Sequence, residues 1–355
     1  MKVTTVLELA PGANNPRNSE GAFIRGFEGE ILFAYSRYRG DSNHDHATCD
    51  IYLIKSFDEG KSWTVPEKLA DGEAFGVANV MSVSALKQND GAIGFYYLIK
   101  ENNLATTLGR TISYDGKNWT TERCECNYPE GYYVVNNDRI IRLRNGQLVA
   151  PAAYYTLEAI KNYEINKPLS TTTLLLSDDD GKSWYKAEFM LEFKALIHNA
   201  RGLQEPGIIE RENDLYLYMR TGHGYQFESI STTGVHGFKA ATPSEFSSPN
   251  SPMLIKEFDG VMYAVYNPIP RYNGIVEHEG TWGRTPIVIR KSTDGGKTWG
   301  ELNTIAADPE RGYCYPALFK TNDNNLLLGM CMGNGDDGNT LCRLGIFRLE
   351  IDTIK

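Results

Sequence analysis

Glu20, Glu205 and Tyr315 each stand where an apolar, strand-like segment begins. They supply the residue types that proton transfer and covalent catalysis need. A repeat brings the three into relation. A strand, an acidic or glycine-bearing turn and a second strand recur at residues 21–35, 83–97, 139–154, 207–219, 252–266 and 316–330. Superposed on their turns, the six units place one polar residue each at the strand start: Glu20, Ser82, Asn137, Glu205, Ser251 and Tyr315. Units arranged about an axis would gather these residues into a ring around a central funnel. Ser82, Asn137 and Ser251 fit the simpler role of lining a wet channel. Two carboxyls and a phenol in one ring suggest chemistry.

The elements that must position this ring carry a second repeat, Ser-x-Asp-x-Gly-x-x-Trp. It is intact at Ser56-Phe-Asp58-Glu-Gly60-Lys-Ser-Trp63, at Ser177 to Trp184 and at Ser292 to Trp299. A copy from Ser113 to Trp119 is one residue short, and a decayed one surrounds Gly234 and Phe238. Asp and Gly build a turn, through side-chain bonds to the backbone and a permitted positive φ. Trp anchors the turn from beneath. Self-similar units of short strands at this spacing predict an all-β six-bladed propeller with four-stranded antiparallel blades. No helical periodicity separates the strands, which excludes a parallel α/β architecture. No linker interrupts the series, so residues 1–355 read as one domain. Two segments, 221–237 and 268–285, read as long loops suited to lining a site.

Composition agrees. The chain has 355 residues, 41% of them hydrophobic, with 21 Tyr and 34 Gly, as short strands and tight turns require. No apolar run is long enough to span a membrane. The first ten residues do not read as a secretion signal, which predicts a cytoplasmic protein unless a leader has been removed. Cysteines 49, 124, 126, 314, 331 and 342 are too few and too scattered for a disulfide framework, and Cys124-Glu-Cys126 lacks a second pair for zinc. Free thiols are expected, with neither metal nor organic cofactor. A net charge of −9 argues against nucleic acid or anionic membrane as a partner. An anionic small substrate would need a local cluster of arginines.

The chain resembles the exo-sialidase superfamily, whose propellers carry the same Ser-x-Asp-x-Gly-x-x-Trp turn, and the likeness runs through the whole sequence. The segment Arg37-Tyr-Arg-Gly-Asp-Ser-Asn-His-Asp45-His46, leading through Asp50-Ile51 to the first turn, matches a family motif. That match implies Asp45 as general acid/base and Arg37 as a substrate contact; without it, Asp41 and Asp45 are ordinary loop acids. Glu205 followed fifteen residues later by Arg220 is a second match. Arg220 closes an apolar strand, where an arginine gains nothing from burial unless paired. Arg284, ahead of the strand entering the last intact turn, is the third, with Arg271 as the alternative. Gly312-Tyr313-Cys-Tyr315-Pro-Ala matches the segment of the family nucleophile; the repeat alignment favours Tyr315, leaving Tyr313 near the substrate.

One departure stands out. The family's first blade opens with Arg-Ile-Pro, whose Arg joins two others around the substrate carboxylate. Here the slot falls on Ser19; Arg17 lies two residues early, and Glu20 adds negative charge beside it. The resemblance implies a retaining exo-glycosidase that removes a terminal sialic acid or related acidic sugar from a glycan. In it Tyr315 is the nucleophile, Glu205 takes its proton, Asp45 serves the leaving oxygen, and Arg220 and Arg284, with or without Arg17, hold the carboxylate. An exo-glycosidase for a non-sialic sugar and a non-catalytic glycan-binding propeller are the competing expectations.

Overall fold

The computed structural model describes residues 1–161, 169–193, 201–269 and 277–355. Six sheets follow one another along the chain and form a six-bladed propeller. The first joins Asn18–Arg25, Ile31–Tyr38, Cys49–Ser56 and Glu67–Ala70, in that order; the second joins Val80–Lys87, Ile93–Lys100, Thr106–Ser113 and Thr120–Arg123. The fourth runs from Gln204–Glu210 to Thr242–Ser247, and the fifth from Leu254–Phe258 to Asn303–Ala306. All four are antiparallel meanders. The third blade departs from the pattern. Its strand Leu148–Tyr155 meets two short inner pieces, Tyr132–Val134 and Ile141–Arg142, and a parallel strand Glu125–Asn127 is added at its outer edge.

The sixth blade takes Cys314–Lys320, Asn325–Cys331 and Leu344–Glu350 from the end of the chain and its outermost strand, Val3–Leu9, from the beginning. The two ends of the propeller segment are thus zipped in one sheet. Inner strands of neighbouring blades pack on one another, 18–25 touching both 80–87 and 314–320, so the blades close about an axis.

The second strands, such as Ile93–Lys100 and Asn325–Cys331, are buried along their whole length, because each blade is covered on both faces by its neighbours. That explains their unbroken apolar runs. In the predicted turn, the Ser56 hydroxyl donates to Asp58 Oδ1 (2.9 Å) and accepts from the Gly60 N–H (2.8 Å). Asp58 then accepts from the backbone of Lys61 and Ser62. The turns at Asp115, Asp179 and Asp294 repeat these bonds. Gly60 has φ +82°, and a Cβ there would lie 2.6 Å from Leu327 of the next blade. Only glycine fits both demands. In the decayed copy Gly234 keeps φ +71°, and Phe238 packs against Phe189 in place of a tryptophan. The expected loop at 221–237 instead contains a strand, Tyr225–Ser231, whose alternating pattern is masked by its Ser and Glu residues.

Candidate active site

The first strands of four blades carry a bulge at the same place. Register breaks between Ser19 and Gly21, Met81 and Ser84, Gln204 and Gly207, and Cys314 and Ala317. One residue in each break lies in the left-handed region: Glu20 (φ 52°), Ser82 (61°), Glu205 (42°) and Tyr315 (53°). A bulge re-aims the side chain it carries, and non-glycine residues adopt this conformation only where surrounding structure enforces it. These four residues line one cavity of about 530 Å³.

The other two ring positions differ from expectation. In the third blade the left-handed residue is Asp138 (φ 55°), one place beyond Asn137. Its carboxylate binds Lys256 Nζ at 2.7 and 2.8 Å and accepts from the Leu318 N–H at 3.1 Å, tying three blades together. Asn137 instead donates from Nδ2 to the carbonyls of Gly21 (2.9 Å) and Tyr315 (3.4 Å). The Ser251 hydroxyl is spent on Asn267 Oδ1 at 2.6 Å.

Glu205 is the hub of the cavity. Its Oε1 accepts the Tyr315 hydroxyl at 2.8 Å, and its Oε2 accepts Arg220 Nη1 at 2.5 Å. Arg220 Nε donates to Asn250 Oδ1 at 2.6 Å, and Arg284 Nη2 donates to the Asn250 carbonyl at 3.2 Å. Asn250 therefore joins the two guanidinium groups. The Arg284 guanidinium lies 4.8 Å from the Trp282 ring centroid and 5.9 Å from that of Tyr315. Burial would raise the Glu205 carboxyl, but Arg220, Arg284 and the Tyr315 hydroxyl together hold it below its ordinary value. Burial, then the Glu205 charge, push the Tyr315 phenol well up, with the two arginines opposing. The resting pair is a carboxylate facing a protonated phenol.

On the first-blade side, Arg17 is 1% exposed. Its Nη1 donates to Asp45 Oδ1 (2.6 Å) and to the Asn43 carbonyl (3.2 Å), and its Nε to the Ser19 hydroxyl (3.0 Å). It does not line the cavity; Asp45 does, together with Lys100, whose Nζ bonds the Asp45 carbonyl. The Asp45 side chain is 58% exposed; enclosure at the cavity wall would raise its carboxyl, but Arg17 and Lys100 hold it well below the carboxylate range. Glu20 shows the opposite balance. Burial pushes its carboxyl up to about 7 against the pull of Arg17.

Two expected contacts lie elsewhere. Arg37 alternates with Ser36 and Tyr38 along its strand, so it points to the other face of the blade, 4.7 Å from the Tyr52 ring centroid. Tyr313 is buried in the core between the fifth and sixth blades, with its N–H on the Arg284 carbonyl. Arg271 lies outside the described residues. The sequence reading missed Asn250, Lys100 and Trp282. Trp282 sits in the predicted 268–285 loop and Asn250 adjoins Ser251, so both had a positional signal; Lys100 closes an apolar strand as Arg220 does, a signal that was there and went unused. Among the described residues, no group of three or more His, Cys, Asp or Glu is arranged to hold a metal ion, and all six cysteines are unpaired.

With fold and cavity in view, comparison with known proteins defines the class. The model of the BNR repeat-like domain matches residues 29–328, and the chain belongs to that family. Solved structures place its fold among sialidase-type propellers. A protein of unknown function from Dyadobacter fermentans superposes with a TM-score of 0.71 at 17% identity, over 98% of this chain and 99% of the other. The NanB sialidase of Streptococcus pneumoniae gives 0.69 at 12% identity, over 99% of this chain and 71% of that one. The intramolecular trans-sialidase of Ruminococcus gnavus, solved with oseltamivir carboxylate, gives 0.68 at 13%, over 99% and 98%. No curated protein sequence matches. Identities this low establish the shared fold alone.

Proposed function

We propose that the chain is a retaining exo-glycosidase of sialidase type, acting on a terminal sialic acid or related acidic sugar of a glycan. The observation that carries this reading is Glu205 accepting the Tyr315 hydroxyl and Arg220 on its two oxygens, inside a cavity that Arg284 also lines. The sugar carboxylate lies against Arg220 and Arg284, whose planar forks suit it. An anionic sugar repels a carboxylate nucleophile, whereas a phenol arrives uncharged. Tyr315 Oη attacks the anomeric carbon and passes its proton to Glu205 as the glycosidic C–O bond breaks. Asp45 gives a proton to the leaving oxygen, then takes one from the water that cleaves the glycosyl-tyrosine. Glu205 returns its proton to Tyr315, and the configuration is retained. Arg17 and Lys100 disfavour the protonated Asp45 at rest; a bound anion offsets that charge and raises the carboxyl.

A neutral terminal sugar is the competing substrate, favoured by Ser19 and Glu20 at the position of the third arginine. A panel of 4-methylumbelliferyl glycosides separates the two. Turnover of the sialoside that disappears in the Tyr315→Phe protein supports the reading. Turnover of a neutral glycoside alone supports the competing sugar. Full activity of Tyr315→Phe on whichever glycoside is cleaved overturns the mechanism.

A further inference from the structure

The cavity holds one carboxyl that the proposed mechanism does not use. Glu20 occupies in the first blade the same bulge that aims Glu205 and Tyr315, and it lines the same cavity. It stands next to the reacting pair: a single nitrogen, Asn137 Nδ2, reaches both the Gly21 carbonyl and the Tyr315 carbonyl.

Glu20 is 4% exposed, yet its carboxyl is poorly satisfied. Its Oε2 accepts one hydrogen bond, from the Ser82 hydroxyl at 3.3 Å. Its Oε1 lies 3.8 Å from Arg17 Nη2, beyond hydrogen-bonding range. Arg17 has spent Nη1 and Nε on Asp45, Asn43 and Ser19, and its Nη2 makes no hydrogen bond. A buried carboxylate without charge-assisted bonds is costly, and the usual remedy is a proton. A protonated carboxyl has a hydrogen to donate.

We propose that Glu20 is a specificity-determining residue whose protonated carboxyl donates a hydrogen bond to the carboxylate of the bound sugar, in place of a third arginine. This rests on the reading that Arg220 and Arg284 hold that carboxylate. Two carboxyl groups brought together in a dry pocket share one proton, so the sugar acid and Glu20 stabilise each other only while that proton is present. The free enzyme carries it up to near neutrality, where burial has placed Glu20. At higher pH, binding must draw a proton from solution.

The charges that Glu20 feels are Arg17, beside its own strand; Asp45, from the loop after the second strand; Lys100, from the second blade; and Glu205, from the fourth. Arg17, Asp45 and Glu205 keep their charge between pH 5.5 and 8.5; burial lowers the Lys100 ammonium from its ordinary value, with Asp45 opposing, which makes Lys100 a competing source of any slope. Burial keeps the phenols of Tyr38, Tyr132 and Tyr315 and the thiols of Cys49 and Cys331 well up, hence neutral there. The exception is Cys314. Burial opposes its ionisation, but the Cys331 thiol and Arg284 bring it below its ordinary value.

Calorimetric titration of the whole chain with N-acetylneuraminic acid and with its methyl ester, from pH 5.5 to 8.5, tests the proposal. The acid should bind about thirtyfold more weakly at pH 8.5 than at 5.5, approaching tenfold per unit, with uptake of one proton visible as a buffer-dependent enthalpy. The methyl ester should show no such slope. Glu20→Gln, a permanent neutral donor, should bind the acid equally at both pH values, within a few-fold of the wild-type affinity at pH 5.5. A flat wild-type profile, or a slope that survives in Glu20→Gln and so belongs to Cys314 or another group, overturns the role of Glu20 and leaves the glycosidase reading standing. Failure of the acid to bind at any pH overturns the carboxylate clamp itself, and this proposal with it.

Discussion

Tyr315 donates its phenolic hydrogen to Glu205 over 2.8 Å, although 110 positions separate the two residues. One belongs to the sixth blade and the other to the fourth, and each sits on a left-handed bulge that turns its side chain to the axis. The hydrogen bond exists because blade packing and bulge geometry agree; neither residue's local sequence specifies it.

Removing the phenolic oxygen isolates the chemistry. Tyr315→Phe should lower kcat on the cleaved glycoside by about three orders of magnitude, the scale expected when a covalent route is lost. The ring still fills its site, so the melting temperature should change little. Steady-state kinetics beside thermal melts checks both halves.

Asn250 should act on binding more than on turnover. Its side-chain oxygen accepts Arg220 and its carbonyl accepts Arg284, so Asn250→Ala frees one guanidinium while the backbone still holds the other. KM for an acidic substrate should rise about tenfold, the value of one charge-assisted hydrogen bond. kcat should move by less, and a neutral substrate should be unaffected.

Glu20 makes the fold itself pH-dependent, with a definite sign. Its carboxyl is pushed from 4.5 up to about 7 by burial. Between those values the unfolded chain has lost the proton that the folded chain keeps, so stability falls as pH rises through this window. The full effect is about 3 kcal/mol. Glu20→Gln removes it. The variant should therefore gain stability over wild type at pH 8 and little or none at pH 4.5, as denaturant titrations at the two values would show.

Trp184 tests the scaffold. It is fully buried beneath its turn, with Nε1 donating to the Gly181 carbonyl and its ring edge-on to Tyr96 of the second blade. Trp184→Ala should cost about 3–5 kcal/mol. Turnover per folded molecule, measured well below the new melting point, should be near wild type, because Asp45, Glu205, Arg220, Arg284 and Tyr315 all lie on other blades.

The sequence made the architecture readable because its signals are local. Ser56, Asp58 and Gly60 bond to one another within five residues, and every intact copy marks the end of a blade's third strand. Four of the six ring positions were readable by the same logic: aligning hairpins finds Glu20, Ser82, Glu205 and Tyr315. It misses by one at Asn137, because the inner strand of the third blade is broken between Val134 and Ile141, and the break leaves no trace in residue type. Arg37 was misplaced by motif likeness, although alternation with Ser36 and Tyr38 already sets it on the opposite face. The partner of Lys100 and the bridging role of Asn250 were not readable at all, since each depends on a contact between separate blades.

The central claim, that Tyr315 is the group that bonds to the sugar, is tested most directly by trapping the intermediate. The protein would be incubated with a fluorinated glycosyl fluoride of the sugar it cleaves, digested and mapped by mass spectrometry. The account predicts one glycosyl adduct, on Tyr315, absent from Tyr315→Phe. An adduct on Glu205 or Asp45 instead would contradict it.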